Sequence, residues 1–192
     1  MFKINAIFIM RFIDIILSLI GLIILFPFFI LIYLAGLMDT GQPIFIQTRV
    51  GKNKIPFKLI KFRTMKLNTR QVPTHLASND NITKLGRILR RSKLDELPQL
   101  INVLKGDMSF VGPRPNLINQ TELIRHRENL NVYKVIPGIT GLAQIKNIDM
   151  SDPQLLAKVD SEMINSLTIS LYIQYIVKTI LGAGFGDRVR NS

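Results

Sequence analysis

The charge-free run from Ile15 to Met38, IILSLIGLIILFPFFILIYLAGLM, dominates the hydrophobic pattern of the chain. It is long enough to cross a bilayer once as a helix. Pro27 lies near its middle, where a proline removes one backbone hydrogen bond and predicts a kink. After the turn residues Gly41-Gln42-Pro43 the pattern shortens. Ile44–Val50 and Pro56–Phe62 predict two short strands, with Gly51–Lys54 as the turn between them. Gln71–Asn81 is polar and predicts an exposed loop, in which His75 is an ordinary loop histidine. From Thr83, a capping residue, the helical period returns through Ser92: Leu85, Ile88 and Leu89 share one side, and Arg87, Arg90 and Arg91 occupy the rest. A further helix is expected from Asp95, its N-cap, with Leu97, Leu100, Ile101 and Leu104 on the buried side and Gly106 ending it. Asn116–Val132 and Ser151–Ser166 read as helices, and Pro137–Gly141 as a loop. Leu167–Leu181 reads as an apolar helix too short for a second span. The fold class is therefore α+β, mainly α-helical: a membrane-embedded helix over residues 1–39, then one body over residues 40–192 with a short β-hairpin and amphipathic, interface-lying helices.

Composition sharpens the membrane reading. The chain has 192 residues, 47% of them hydrophobic, with a formal net charge of +12. That pairing suits a protein held against anionic head groups. Nucleic acid is the competing partner for a basic chain, but no zinc-ligand spacing, glycine-rich nucleotide loop or aromatic RNA-binding motif supports it. With no cysteine, disulfides, thiolate metal sites and a cysteine nucleophile are excluded. Between Thr40 and Asn79 there is no Asp or Glu, while Arg49, Lys52, Lys54, Lys58, Lys61, Arg63, Lys66 and Arg70 accumulate. Cations therefore flank the apolar run on both sides, since Lys3 and Arg11 precede it. Under the positive-inside rule this argues against a clean span. A re-entrant helix that bends at Pro27 and returns to the same face satisfies both flanks; a single span with an outside N-terminus is the alternative. The run is too long for a signal-peptide core, and Met38-Asp39-Thr40 is not a cleavage site.

Chemistry concentrates in Arg90–Pro115, RRSKLDELPQLINVLKGDMSFVGPRP. The carboxylate pair Asp95-Glu96 follows Arg90, Arg91 and Lys93, and Pro113-Arg114-Pro115 fixes the backbone on both sides of one guanidinium. Arginines bind phosphate through two parallel hydrogen bonds. A carboxylate pair among such cations can hold Mg²⁺ through oxygen or supply a nucleophile, because Asp forms acyl-phosphates. The plainer reading is that Asp95 caps a helix and Glu96 complements its dipole. His126 is a weak candidate for a general base. The two glycines of Pro137–Gly141 allow close backbone approach to a ligand or to another segment.

Four motifs in order, KFRTM (Lys61–Met65), LDELPQL (Leu94–Leu100), GDMSFVGPRP (Gly106–Pro115) and PGITGLAQ (Pro137–Gln144), behind an apolar N-terminal segment, resemble the bacterial sugar transferases, the monotopic phosphoglycosyl transferases. The resemblance implies an enzyme of the phosphotransferase class for substituted phosphate groups. It would move a sugar 1-phosphate from a UDP-sugar to undecaprenyl phosphate and release UMP, at the cytoplasmic face of a bacterial inner membrane, as the first membrane step of glycoconjugate assembly. It implies Asp95 as nucleophile and Mg²⁺ ligand, with Glu96 as an orienting or acid/base partner. Arg90 and Arg114 become phosphate clamps, and Lys61, Arg63, Pro113, Pro115, Gly138 and Thr140 help form the substrate pocket. From family habit the sugar is an N-acetylated amino sugar. The chain departs from the family in two places. Phe26 stands before Pro27, where relatives break their re-entrant helix at Ser-Pro. Ile148 stands where many members carry an arginine after the Ala-Gln. The rival reading is a non-catalytic basic module that binds membrane surfaces.

Overall fold

The apolar run folds as one helix, α1 (Ile4–Thr40), with Pro27 inside it. The computed structural model describes residues 4–69 and 79–183; the loop around His75 and most of the glycine-rich tail lie outside these. At 37 residues α1 is about 55 Å long at 1.5 Å per residue, against roughly 30 Å for a hydrocarbon core. Among the described residues it is the one helix with the length and composition to cross a membrane. The helix runs without interruption through Pro27.

One stripe of α1 packs on the rest of the chain along its whole length. Met10, Asp14, Ser18 and Ile32 are buried. Gly21 lies against Leu100, Gly36 lies against Pro43, and the Phe29 ring sits 5.7 Å from Phe62. The spacing of three and four residues is that of one helix face. The opposite faces expose Phe8, Phe12, Ile23, Ile24, Phe26 and Leu31. Two polar anchors set the register. The Arg11 guanidinium donates to the carbonyls of Val103 (2.6 Å) and Leu104 (2.9 Å), capping the C-terminal end of a helix. Asp14 Oδ1 accepts from Phe110 N (2.9 Å), Ser109 Oγ (3.2 Å) and the Tyr172 hydroxyl. Burial, then the nearby Asp14 charge, pushes the Tyr172 phenol up, so it stays a donor.

The hairpin forms as the alternation predicts. Strands β1 (Ile44–Val50) and β2 (Pro56–Phe62) pair antiparallel in the register Ile44↔Phe62 to Val50↔Pro56. Helix α2 (Lys84–Ser92) starts where expected, with Thr83 Oγ1 accepting from Gly86 N. It buries Gly86 and Leu89 while Ile88 faces out. The next expectation fails. Lys93 takes a left-handed conformation (φ 56°) and Leu94–Glu96 form a 3₁₀ turn. The helix α3 (Gln99–Lys105) starts only after Pro98. Asp95 is thus not its N-cap; the sharp left-handed exit from α2 places the carboxylate pair in the turn instead. Gly106 (φ 93°) ends α3 as expected.

Two further boundaries differ from the sequence reading. Of Asn116–Val132 only Thr121–Asn129 is α-helical (α4), because Asn116 is tied through its carbonyl to Val50 N (3.0 Å) and Leu117 N to Gln120 Oε1 (2.9 Å). Pro137–Gly141 is not a simple loop. Gly138–Thr140 forms a strand, β4, parallel to β3 (Ser109–Val111). A Cβ on Gly138 would lie 2.0 Å from Gly112 N, so the close approach is to another backbone segment. A short helix α5 (Leu142–Ile145), then α6 (Pro153–Ser166), capped by Asp152, and α7 (Ile169–Ile180), capped by Thr168, complete the fold. Met10, Val111, Met163, Tyr172 and Tyr175 knit α1, β3, α6 and α7 into one apolar cluster. Ile32, Phe62 and Leu89 join α1, β2 and α2 in another. α7 is a packed helix, with Tyr172 and Tyr175 inward and Ile173, Val177 and Ile180 exposed.

Candidate active site

The site is assembled by β1, β2, the end of α2, the Leu94–Glu96 turn and the loop after β3. β2 contributes Lys61 beside Phe62, which is buried in the core under the strand. The strand is locked to α3 by Asn102, whose Oδ1 accepts from Ile60 N (3.0 Å) and whose Nδ2 donates to Lys58 O (2.8 Å). The Lys61 ammonium lies 5.6 Å from the centre of the Phe45 ring and feels the charges of Asp95, Arg49, Arg90 and Glu96. Desolvation depresses its pKa; Asp95 opposes that, Arg49 and Arg90 add to it, and Glu96 opposes it again. Asp95 is only 7% exposed. Glu96 Oε1 lies 2.6 Å from Arg114 Nη2.

Arg90 enters from the last turn of α2. Its Nε donates to Thr64 Oγ1 (3.0 Å), and its Nη1 is buried with no hydrogen-bond partner among the described residues. Such a donor is costly to leave unmet and suits an incoming phosphate oxygen. α2 reaches Thr64 because residue 86 is glycine: a Cβ there would lie 2.1 Å from Thr64 O. Arg49, on β1, donates from Nη1 to Pro115 O (3.1 Å) and from Nη2 to Gln47 Oε1 (2.7 Å).

Lys61 thus shares its electrostatic surroundings with Arg90, Asp95 and Glu96, and Arg114 joins them through Glu96. The other expected residues do not join them directly. Arg63 points to the base of the hairpin, where its Nε donates to Gln42 O (2.8 Å) and its guanidinium sits 5.2 Å from the Phe45 ring centre. Pro113 and Pro115 are buried framework, and Gly138 pairs backbone to backbone. The Thr140 hydroxyl lies 2.6 Å from that of Thr179 on α7. His126 is a helix-surface residue 4.0 Å from Glu122.

Sequence reasoning did not single out Arg49, Thr64, Arg127 or Asp160. Arg49 was hidden among many cations of the acid-free stretch. Arg127 and Asp160 carried a readable signal: each lies four residues after a core leucine, Leu123 and Leu156, on the inward face of its helix.

Among the described residues no three or more His, Asp or Glu side chains gather as a metal centre. The donor chemistry nonetheless fits a Mg²⁺ held by one or two carboxylates and completed by substrate phosphates and water. Asp95 supplies such an oxygen, while Glu96 is engaged by Arg114.

Comparison with known proteins adds a family. The model described as bacterial sugar transferase matches residues 5–185. The chain is 36% identical, over 90% of its length and 40% of the relative's, to the undecaprenyl-phosphate galactose phosphotransferase of Salmonella typhimurium. It is 46% identical, over 69% of its length and 30% of the relative's, to the UDP-glucose:undecaprenyl-phosphate glucose-1-phosphate transferase of Escherichia coli. It is 35% identical, over 81% of its length and 39% of the relative's, to the UDP-N-acetylgalactosamine-undecaprenyl-phosphate N-acetylgalactosaminephosphotransferase of Aeromonas hydrophila. The chain thus spans 30% to 40% of the length of these relatives.

Proposed function

The chain belongs to the bacterial sugar transferase family, and from that premise we propose that it transfers a sugar 1-phosphate from a UDP-sugar to undecaprenyl phosphate, releasing UMP. The observation that carries the reading is the nearly buried Asp95 next to the Glu96–Arg114 ion pair, with the Arg90 Nη1 donor buried and unmet among the described residues. A carboxylate grouped with such cations lies close to where a diphosphate would be drawn.

In this mechanism an Asp95 oxygen attacks the sugar-bearing phosphorus. A new O–P bond forms, the phosphoanhydride P–O bond breaks, and UMP leaves with the electron pair. Lys61, Arg90 and Arg114 hold the oxygens on which charge develops. Glu96 orients Arg114. An oxygen of undecaprenyl phosphate then attacks the acyl-phosphate, frees Asp95 and yields the diphosphate-linked lipid. The attacking phosphate is already ionised, so no histidine base is required. Asp95 is also the residue that would hold Mg²⁺, which when bound neutralises charge on the diphosphate.

The sugar we propose is an N-acetylated amino sugar, and the product would open a glycoconjugate pathway. The exposed apolar faces of α1 and α7, with the basic α2, suit an anionic bilayer surface. We put both ends of α1 on the cytoplasmic face of the inner membrane, since its N-terminal half is bonded to α3 through Arg11 and its C-terminal half packs on Pro43. A re-entrant course is then one helix bent at Pro27.

A panel of radiolabelled UDP-sugars, with undecaprenyl phosphate and Mg²⁺, tests the function. Label should move into the lipid fraction with stoichiometric UMP. Without the lipid acceptor, label should remain on the protein, and Asp95→Asn should abolish both signals while keeping its fold and vesicle binding. Vesicle binding with no transfer from any UDP-sugar would favour the non-catalytic membrane module instead.

A further inference from the structure

The loop that presents Arg114 has few donors of its own, because Pro113 and Pro115 lack an N–H. Its shape depends on what its carbonyls accept. Pro113 O accepts from Gly138 N (3.0 Å), Arg114 O from Arg127 Nη1 (2.9 Å), Pro115 O from Arg49 Nη1 (3.1 Å) and Asn116 O from Val50 N (3.0 Å). Four successive carbonyls are thus held from β4, α4 and β1. Arg127 is the donor that attaches to residue 114 itself.

The Arg127 side chain is almost fully buried, at 1% exposure for the residue. Its Nε and Nη2 both donate to Asp160 Oδ2 on α6 (3.0 and 2.7 Å). That leaves Nη1 to reach Arg114 O and Asn116 Oδ1, both at 2.9 Å. The Tyr133 hydroxyl donates to the same Asn116 oxygen (3.0 Å). Asp160 Oδ1 is buried and meets no donor among the described residues. A buried ion pair with an unmet oxygen is a poor way to join two helices, since apolar side chains of similar volume fill such space as well or better. The geometry accounts for it: one fork of the guanidinium is fixed by Asp160 so that the other points at the loop, a directional task suited to arginine.

We propose that the buried Arg127–Asp160 pair is a positioning device for Arg114. It holds the backbone of residue 114 so that the guanidinium of Arg114 meets Glu96 and, resting on the proposed function, the phosphate being transferred. Arg127 is buried behind the loop and acts through Arg114.

Two measurements decide this. Arg127→Lys keeps the cation but loses the fork, and Asp160→Asn keeps the shape but loses the charge. In both, hydrogen exchange of the peptide covering residues 109–117 should quicken while the hairpin stays protected. In the transfer assay kcat should fall by about a hundredfold, the scale of a small misplacement of a catalytic group, with KM for the UDP-sugar little changed. In an Arg114→Ala background the same substitutions should add almost nothing, because the two residues act as one unit. If either variant fails to fold, Tyr133→Phe removes one bond to Asn116 and should cost about fivefold in kcat, again only when Arg114 is present. Losses that multiply in the double variants, or unchanged exchange in the loop, overturn the proposal. A wild type without turnover sinks the proposed function, and the exchange data then decide on the loop alone.

Discussion

Arg114 and Lys61 show how differently two cations of one site behave. Arg114 is ion-paired to Glu96 at 2.6 Å and about a third exposed, so its loss should cost little stability. Its effect belongs to the transition state: Arg114→Ala should lower kcat by about 10² to 10³, as for removal of one preorganised donor. A twofold loss in steady-state assays would make it a structural residue. Lys61 is the reverse case for stability. Its pKa is depressed, chiefly by burial, below the 10.5 of an unfolded lysine. Between the two values the unfolded chain binds more protons, so stability rises with pH there; below the folded value the charged form costs stability in full. Lys61→Met should therefore melt higher than wild type at neutral pH, lose the alkaline rise, and lose turnover. Thermal scans at neutral and alkaline pH check this, and a lower melting temperature at neutral pH would contradict it.

Helix α2 lies against Thr64, just past the hairpin, and against Phe62 through Leu89. Gly86 permits its backbone to lie on Thr64, and that approach sets the Arg90–Thr64 bond. Gly86→Ala puts a Cβ 2.1 Å from a carbonyl oxygen, which cannot be relieved by a side-chain rotation. It should destabilise by about 1–3 kcal/mol, as other overpacking changes do, despite the higher helix propensity of alanine. It should also slow transfer, because Arg90 moves with the helix. Equal or higher stability in denaturant titrations would show that α2 is free to shift.

The chain as a whole is organised by α1, whose packed stripe touches α3, β3, α7, β2 and α2. Both halves of α1 pack on one body, which is the basis for the proposed course with both helix ends on the same face. Lys3→Cys should accordingly react with an impermeant maleimide from the cytoplasmic face in sealed inverted vesicles. Reaction only from the opposite face would establish a single span.

Local pattern was enough for much of this. The hairpin limits, the caps at Thr83 and Gly106, α6 and the apolar α1 follow from period, turn residues and capping chemistry, all of which act within a few residues. Motif order singled out Asp95, Glu96, Arg90, Arg114 and Lys61; the structure pairs Glu96 with Arg114 and sets Lys61 among the charges of Asp95, Arg90 and Glu96. Local pattern misjudged Asp95 as a cap, because the chain leaves α2 through the left-handed Lys93 and turns at Leu94–Glu96, where Leu94 and Leu97 pack on the Ile32, Phe62 and Leu89 cluster. It took Gly138–Thr140 for a loop, because the partner strand lies far away in sequence. Arg49, Arg127 and Asp160 acquire meaning only when β1, α4 and α6 converge on the Pro113–Asn116 carbonyls. Short-range preferences write the elements; which buried charge faces which loop is decided by contacts between distant segments, whose desolvation and hydrogen bonding exist only once the chain has closed on itself.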